Sequence, residues 1–312
     1  MPVRVMIPTE DAARLLLEGL VDYAGLFPPA AVSMQTAVRS YAHYRAGGTG
    51  WMLGRFVCPT SGLEEFSLRA DPLLPRDAGA IPWRLTAVAS TAWQADVAAI
   101  AAFNERHRVC FEECGALVDA YEVRVSTASD VDRIHALAPA ELTVYCEVAP
   151  HAAELLLPAI AATGRRAKLR AGGVTTEAFP SAAAIVQFLQ ACIRHGVVAK
   201  ATAGLHHPVC GLYRLTYADD APVGPMFGYL NVFLAGALLL QGGTASAAEA
   251  LVQETRADTL HIDPTAATWH HGDQVVRLDR TILQRTREQL LVSFGSCSFT
   301  EPVEEIRAIG WI

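Results

Sequence analysis

Two periodicities alternate along this chain. Short apolar runs repeat every second residue, and longer stretches repeat near 3.6. The helical period is clearest after Ser181, where Ile185, Phe188, Leu189, Cys192 and Ile193 fall at i, i+3, i+4, i+7 and i+8 before Gly196 stops the run. Alternating runs flank it, Ala167-Lys-Leu-Arg-Ala-Gly-Gly173 before and Val197–Thr202 after, which makes one strand–helix–strand unit. The same rhythm extends towards the amino terminus, with strands expected over 20–26, 51–58, 83–90, 120–126 and 142–148. Helices are expected over 9–20, where Thr9, Glu10 and Asp11 supply a cap and an acidic first turn, and behind Ser33, with Met34, Ala37, Val38 and Tyr41 on one face. Others are expected around Leu63, Phe66 and Leu68, over 92–106, over 129–137 behind a Ser129 cap, and in the Ala/Leu-rich stretch after Val148.

Landmarks Asp22, Arg55, Val88, Glu122, Glu147, Lys168 and Lys200 recur at intervals of roughly 20 to 35 residues, the scale of a βα unit. After Thr202 the rhythm breaks. An apolar helix (226–241), a second helix (245–255), a hairpin (259–278) and a polar helix (279–291) precede an eighth apolar run, Leu291–Ser298, and a last helix, 301–309. Eight strands alternating with helices predict an α/β chain, a (β/α)8 TIM barrel. It is read as a single domain, 1–312, with an N-terminal helix and a long insertion, about 212–291, between strands seven and eight.

Composition agrees with a large core: 52% of the 312 residues are hydrophobic and 18% charged. A net charge of −7 without a basic tract argues against nucleic acid or an anionic membrane as partner. The most apolar segment, Tyr229–Leu240, is too short to span a bilayer and carries Asn231. It reads as a helix that is either buried or subunit-facing, and the second alternative would make a homo-oligomer. The start, MPVRVMIPTED, lacks the apolar core of a signal peptide. Seven scattered cysteines without a C-x-x-C read as free thiols, so a cytoplasmic location is expected.

Side chains alternate across a strand. Tyr121, Val123 and Val125 oppose Glu122 and Arg124; Val144, Cys146 and Val148 oppose Tyr145 and Glu147; Leu169 opposes Lys168 and Arg170; Ala199 and Ala201 oppose Lys200 and Thr202. The apolar faces must meet the helices. Glu122, Arg124, Glu147, Lys168, Arg170 and Lys200 are therefore expected inside the barrel near its carboxyl end, where such folds place their active sites. Two neighbouring ammonium groups depress each other's pKa, and a neutral lysine can attack a carbonyl while Glu147 or Glu122 moves protons. The alternatives are lysines that only bind an anion and a structural ion network.

K-x-x-x-G near the end of one strand, followed about thirty residues on by a second K-x-x-x-G, resembles the class I (Schiff-base) deoxyribose-phosphate aldolases over residues 167–211. The resemblance implies that Lys168 forms the Schiff base, that Lys200 lowers its pKa, and that Gly172, Gly173 and Gly204 bind phosphate. Ala203-Gly204 stands where that family has two glycines, and Leu205-His206-His207 replaces its usual continuation.

His206 is a candidate acid/base and His207 a candidate substrate contact, or with Glu147 or Cys210 the two form a metal site. His270-His271 reads as surface or lid. Gly295-Ser296-Cys297-Ser298 offers small residues and the hydroxyls of Ser296 and Ser298 to an anion, with Cys297 read as a buried small hydrophobe. Asp22, Tyr23 and Arg55, at early strand ends, are expected to line the pocket, Arg55 gripping a carboxylate, and Phe27-Pro28-Pro29 to wall it. The chain reads as an aldolase-like lyase acting on a small anionic carbonyl metabolite through a lysine, without cofactor. A metal-dependent lyase or hydrolase using His206, His207 and a glutamate is one alternative, and a non-catalytic binder of a small acidic metabolite is the other.

Overall fold

The computed structural model describes residues 11–77, 79–110 and 115–312; Thr9, Glu10 and Cys114 lie outside the described residues. The elements are α1 (Ala12–Leu17), β1 (Val21–Tyr23), α2 (Met34–Ala46), β2 (Leu53–Pro59), α3 (Leu63–Ala70), β3 (Trp83–Val88), α4 (Trp93–Cys110), β4 (Ala116–Arg124), α5 (Ala128–Leu137), β5 (Thr143–Val148), α6 (Ala153–Ala162), β6 (Arg166–Arg170), α7 (Ala182–His195) and β7 (Ala199–Thr202). The insertion follows: β8 (Gly211–Arg214), β9 (Val223–Met226), α8 (Tyr229–Leu240), α9 (Ala245–Val252), β10 (Leu260–Asp263), β11 (Ala266–His271), β12 (Gln274–Asp279) and α10 (Arg280–Gln289). The chain then completes the barrel with β13 (Leu291–Ser296) and α11 (Thr300–Ala308).

Eight parallel strands close in the order β1-β13-β7-β6-β5-β4-β3-β2, so the fold is the (β/α)8 barrel that the alternation predicted. Register puts Lys168 beside Lys200 and Glu147 beside Lys168. The faces divide as the pattern requires. Tyr121 points out and donates its O–H to Asp96 of α4 at 2.9 Å, while its neighbour Glu122 points in. Ser181 accepts from the Ala184 N–H, and Gly196 ends α7 with φ 65°, a conformation glycine takes without steric cost.

Several local expectations are corrected. Thr127, not Ser129, caps α5, because Thr127 and Asp130 form a reciprocal capping box. Leu68 is exposed, since the buried stripe of α3 runs through Leu63, Phe66 and Ala70. β4 starts at Ala116, four residues earlier than expected, and so contains Asp119. The hairpin expected over 259–278 is a three-stranded antiparallel sheet, β10-β11-β12, and a further hairpin, β8-β9, precedes α8.

α8 is buried from Tyr229 to Leu239 and packs against α7, α9 and α10. Its polar groups are satisfied: Asn231 Nδ2 donates to the Leu251 and Glu254 carbonyls, Oδ1 accepts from the Cys210 N–H, and the Tyr229 hydroxyl donates to the Pro302 carbonyl. The apolar surface of α8 is therefore covered within the chain, and the subunit-facing reading falls away. Among the described residues no helix is long and apolar enough to cross a membrane.

Candidate active site

Inside the carboxyl half of the barrel the charged side chains form one alternating series. Lys200 Nζ lies 2.5 Å from Asp22 Oδ2 and 2.7 Å from Glu122 Oε1. Lys168 Nζ lies 2.6 Å from Glu122 Oε2 and 2.9 Å from Glu147 Oε2. Glu147 Oε1 then faces Arg124 Nε at 3.7 Å. Asp22 is held from two further sides, accepting from the Arg55 backbone N–H at 2.7 Å and the Ser293 hydroxyl at 2.9 Å. Lys200 also lies over the Tyr145 ring, 5.4 Å from its centroid.

These contacts overturn one expectation. The lysines do not meet ammonium to ammonium, because Glu122 lies between them. Burial alone would lower the Lys200 pKa, but Asp22 and Glu122 outweigh it and hold the amine protonated, above its ordinary value. Burial likewise pushes Glu122 up, and the Lys168 and Lys200 charges outweigh that, holding its carboxyl down at about 2. Lys200 is thus a fixed cation. Lys168 alone of the two reaches the cavity above.

That cavity, of about 320 Å³, is lined by Glu122, Glu147, Lys168, Arg170, Thr202 and His206, and by Phe27, Pro28 and Pro29 as expected for a wall. Gly173, Gly204, Gly295 and Cys297 complete the polar side. An adjoining groove shares Glu147 and Arg170 and is bordered by Arg124. Arg124 is corrected from an interior group to a rim group, its side chain 79% exposed. A second hollow at the amino-terminal end of the barrel, lined by Val97, Ile100, Asp119 and Leu142, carries none of these lysines.

Four residues expected to line the pocket lie elsewhere. Asp22 is sealed beneath the cavity on Lys200, 1% exposed. The Arg55 guanidinium forms a fork on Asp119, with Nε at 2.6 Å and Nη2 at 3.1 Å, and does not border the cavity. Tyr23 turns outward onto the rings of Tyr41, Tyr44 and Phe56, because Asp22 takes the inward position of β1. His207 stacks on Tyr213 at 3.4 Å and shares Nδ1 with both Glu305 oxygens, at 2.8 and 2.9 Å.

The two glycine turns touch. A Cβ on Gly172 would fall 2.4 Å from the Phe179 ring and 2.9 Å from the Gly204 Cα, and Gly204 has φ +67°. Close approach of the β6 and β7 loops accounts for both glycines. Gly173 and Gly204 still border the cavity, and Gly172 does not. Ser298 sits past the strand, where its hydroxyl accepts from the Glu301 N–H at the start of α11, and Ser296 is buried beside His206. His270 and His271 lie in β11, packed on His261 and Trp269, and do not border the cavity.

His206 and His207 do not form one ligand set. His207, Glu301 and Glu305 are the group among the described residues whose ligand atoms all lie within 4.8 Å of one another, and neither His206, Glu147 nor Cys210 belongs to it. Within that group His207 Nδ1 is hydrogen-bonded to Glu305, and Glu301 Oε2 faces His206 Nδ1 and the Tyr217 hydroxyl.

His206 instead borders the cavity and meets partners that sequence separation conceals. Its Nδ1 is 3.3 Å from Glu301 Oε2, 3.4 Å from Ser296 Oγ and 3.9 Å from Cys297 Sγ. Burial would lower the His206 pKa, but Cys297 and Glu301 outweigh it and raise the imidazole to about 9. Tyr217, from the segment between β8 and β9, reaches Glu301 at 3.2 Å and Cys297 Sγ at 3.5 Å. Tyr217, Cys297 and Glu301 are absent from the expected site because 80 or more residues separate two of these contacts.

A scan against protein-family models matched none, and a search of the curated proteins found no match either. The class is defined by architecture and site: a (β/α)8 barrel, a fold commonly used by enzymes, with charged groups gathered at the carboxyl face where such enzymes act.

Proposed function

We propose that this barrel is an aldolase-type lyase acting on a small anionic carbonyl compound, with Lys168 as the amine that forms the Schiff base. The observation that carries the reading is the position of Lys168: it borders the cavity between Glu122 and Glu147, while Lys200 is sealed beneath. To act, Lys168 must first lose a proton. Glu147, 2.9 Å away and bordering the cavity, is the acceptor best placed to take it. The neutral amine then adds to the carbonyl carbon. Glu147 returns the proton to the carbinolamine hydroxyl, which leaves as water. The resulting iminium draws the electrons of the Cα–Cβ bond as Glu147 takes the proton of the β-hydroxyl, and an aldehyde departs. The enamine left on Lys168 is protonated and hydrolysed by water. Lys200 stays charged throughout and holds Glu122 ionised against burial.

Two buried lysines face three carboxylates here, so the interior carries a net negative charge until Arg124 is counted. The anionic end of a substrate is therefore better placed against Arg170 and His206 on the cavity wall than against the lysines. A second reading, a binder of a small acidic metabolite, is favoured by the same ion pairs if Lys168 never gives up its proton. Borohydride trapping separates the two. With pyruvate or acetaldehyde as probes, peptide mapping should place a reduced adduct on Lys168, absent in Lys168→Met. A folded wild-type protein that binds these probes without any adduct would leave the binder reading standing.

A further inference from the structure

We infer that Cys297 is a second nucleophile of this cavity, a thiolate held by the His206 imidazolium and open to carbon electrophiles entering the barrel mouth. The placement comes from barrel closure. β13 ends at Ser296, so Cys297 turns over the rim beside the loop that follows β7, and it borders the same cavity as Lys168.

The groups around the thiol come from every neighbouring element. His206 Nδ1 lies at 3.9 Å and the Tyr217 hydroxyl at 3.5 Å. The Ala30 backbone, in the loop after β1, is a further hydrogen-bond partner. Tyr23 on β1 is kept neutral, burial pushing its phenol up to about 12. Glu301 on α11 approaches the same ring nitrogen, Nδ1, at 3.3 Å and keeps the imidazole cationic. The Nδ1–H of one imidazolium thus lies between a carboxylate and the Cys297 sulfur.

The contrast with the other described thiols is chemical. Cys58 and Cys146 are pushed up to about 12 by burial, and Cys192 and Cys210 are raised by it as well. At Cys297 burial acts in the same direction, but the hydrogen bond and charge of His206 outweigh it and bring the thiol below its ordinary value.

The ligand class that fits is an α,β-unsaturated carbonyl compound. Sγ adds to the β-carbon and forms a carbon–sulfur bond. The double-bond pair moves to the α-carbon, which takes the proton of the His206 imidazolium. Thiolate and imidazolium are both neutral afterwards, and no further reactant is needed.

Acrylamide, a neutral α,β-unsaturated amide, is the probe. Folded wild-type protein is labelled from about pH 5.5 to about pH 9 and each cysteine is followed by peptide mapping. At about pH 6.5 Cys297 should label faster than Cys210, and its rate should climb and level off at lower pH than that of Cys210. His206→Asn should move the levelling at Cys297 to higher pH, with Glu301→Gln as the substitute if the first variant does not fold. The wild-type profile alone decides. Labelling of Cys297 no faster than Cys210, or with the same pH profile, overturns the proposal. Borohydride trapping reads Lys168 and alkylation reads Cys297, so either reading can fail without the other.

Discussion

Lys200→Met removes one charge from the most deeply buried part of the series and keeps much of the side-chain volume. Asp22 and Glu122, 1% and 4% exposed, each lose an ammonium partner within 2.7 Å. Asp22 retains the Arg55 N–H and the Ser293 hydroxyl, and Glu122 retains Lys168. Breaking a buried pair by removing one partner costs about 3–5 kcal/mol. At a few degrees per kcal/mol for a chain of this size, the melting temperature should fall by on the order of 10 °C. The loss should depend on pH in a stated direction. In the wild type Glu122 is ionised in the folded state down to about 2 and in the unfolded state down to roughly 4.3, so it contributes no slope between about pH 5.5 and pH 8. In the variant, two buried carboxylates are left with one ammonium, Lys168, and burial favours the protonated form of the excess carboxyl. The folded state then holds a proton that the unfolded state lacks, and stability falls as pH rises, by up to about 1.4 kcal/mol per pH unit. Thermal unfolding by circular dichroism at about pH 5.5 and about pH 8 measures both effects. A deficit at pH 8 under about 1 kcal/mol, or an equal deficit at the two pH values, would refute the reasoning. Adding Glu122→Gln should recover part of the loss at pH 8 by removing the stranded charge.

Three further outcomes are expected. For the wild type, the Glu122 contribution, on the order of 3 kcal/mol, is fully present above its unfolded pKa of roughly 4.3 and is lost as pH falls towards about 2; urea midpoints across that range should fall accordingly. Gly204→Ala should destabilise by about 1–3 kcal/mol and reduce adduct formation at Lys168, because φ is +67° and the added Cβ would lie 2.7 Å from the Phe179 ring; an unchanged melting temperature would contradict the close-approach account. Arg55→Met should cost about 1–3 kcal/mol in urea unfolding through the half-buried Asp119 it leaves, while trapping at Lys168 and labelling at Cys297 stay at wild-type levels. Loss of either reaction in a folded Arg55→Met protein would show that Arg55 does reach the cavity.

The barrel was legible because strand alternation and helix caps are local. Lys168 opposite Leu169, Glu122 opposite Tyr121, and the Ser181 and Gly196 ends of α7 need only their neighbours in sequence, and each was read correctly. What was missed depends on distance in the chain. The partner of Arg55 is Asp119, 64 residues away on a part of β4 that resembles a loop, so an arginine at a strand looked free when two of its three guanidinium nitrogens are held. His206 and Cys297 are 91 residues apart and meet only because β13 closes against β7. The order of charges was also unreadable. Alternation puts both lysines inside, but which atom lies between them depends on how Glu122 reaches from β4, and that reverses the expected direction of the Lys200 shift. The β8-β9 hairpin escaped because each strand has four residues, one of them Pro225, too few to display a period.

The alternating series from Asp22 to Arg124 also constrains how this gene can drift. Each interior member touches two opposite charges, or one charge and fixed donors, so a single neutralising change strands a neighbour in a medium that cannot solvate it. Paths that keep both stability and Lys168 therefore run through paired replacement of Asp22 with Lys200, or through the rim, where Arg124 is bathed in water and can be exchanged alone. A saturation library should reveal an interior whose tolerated sequences differ two letters at a time, bordered by one position that varies freely.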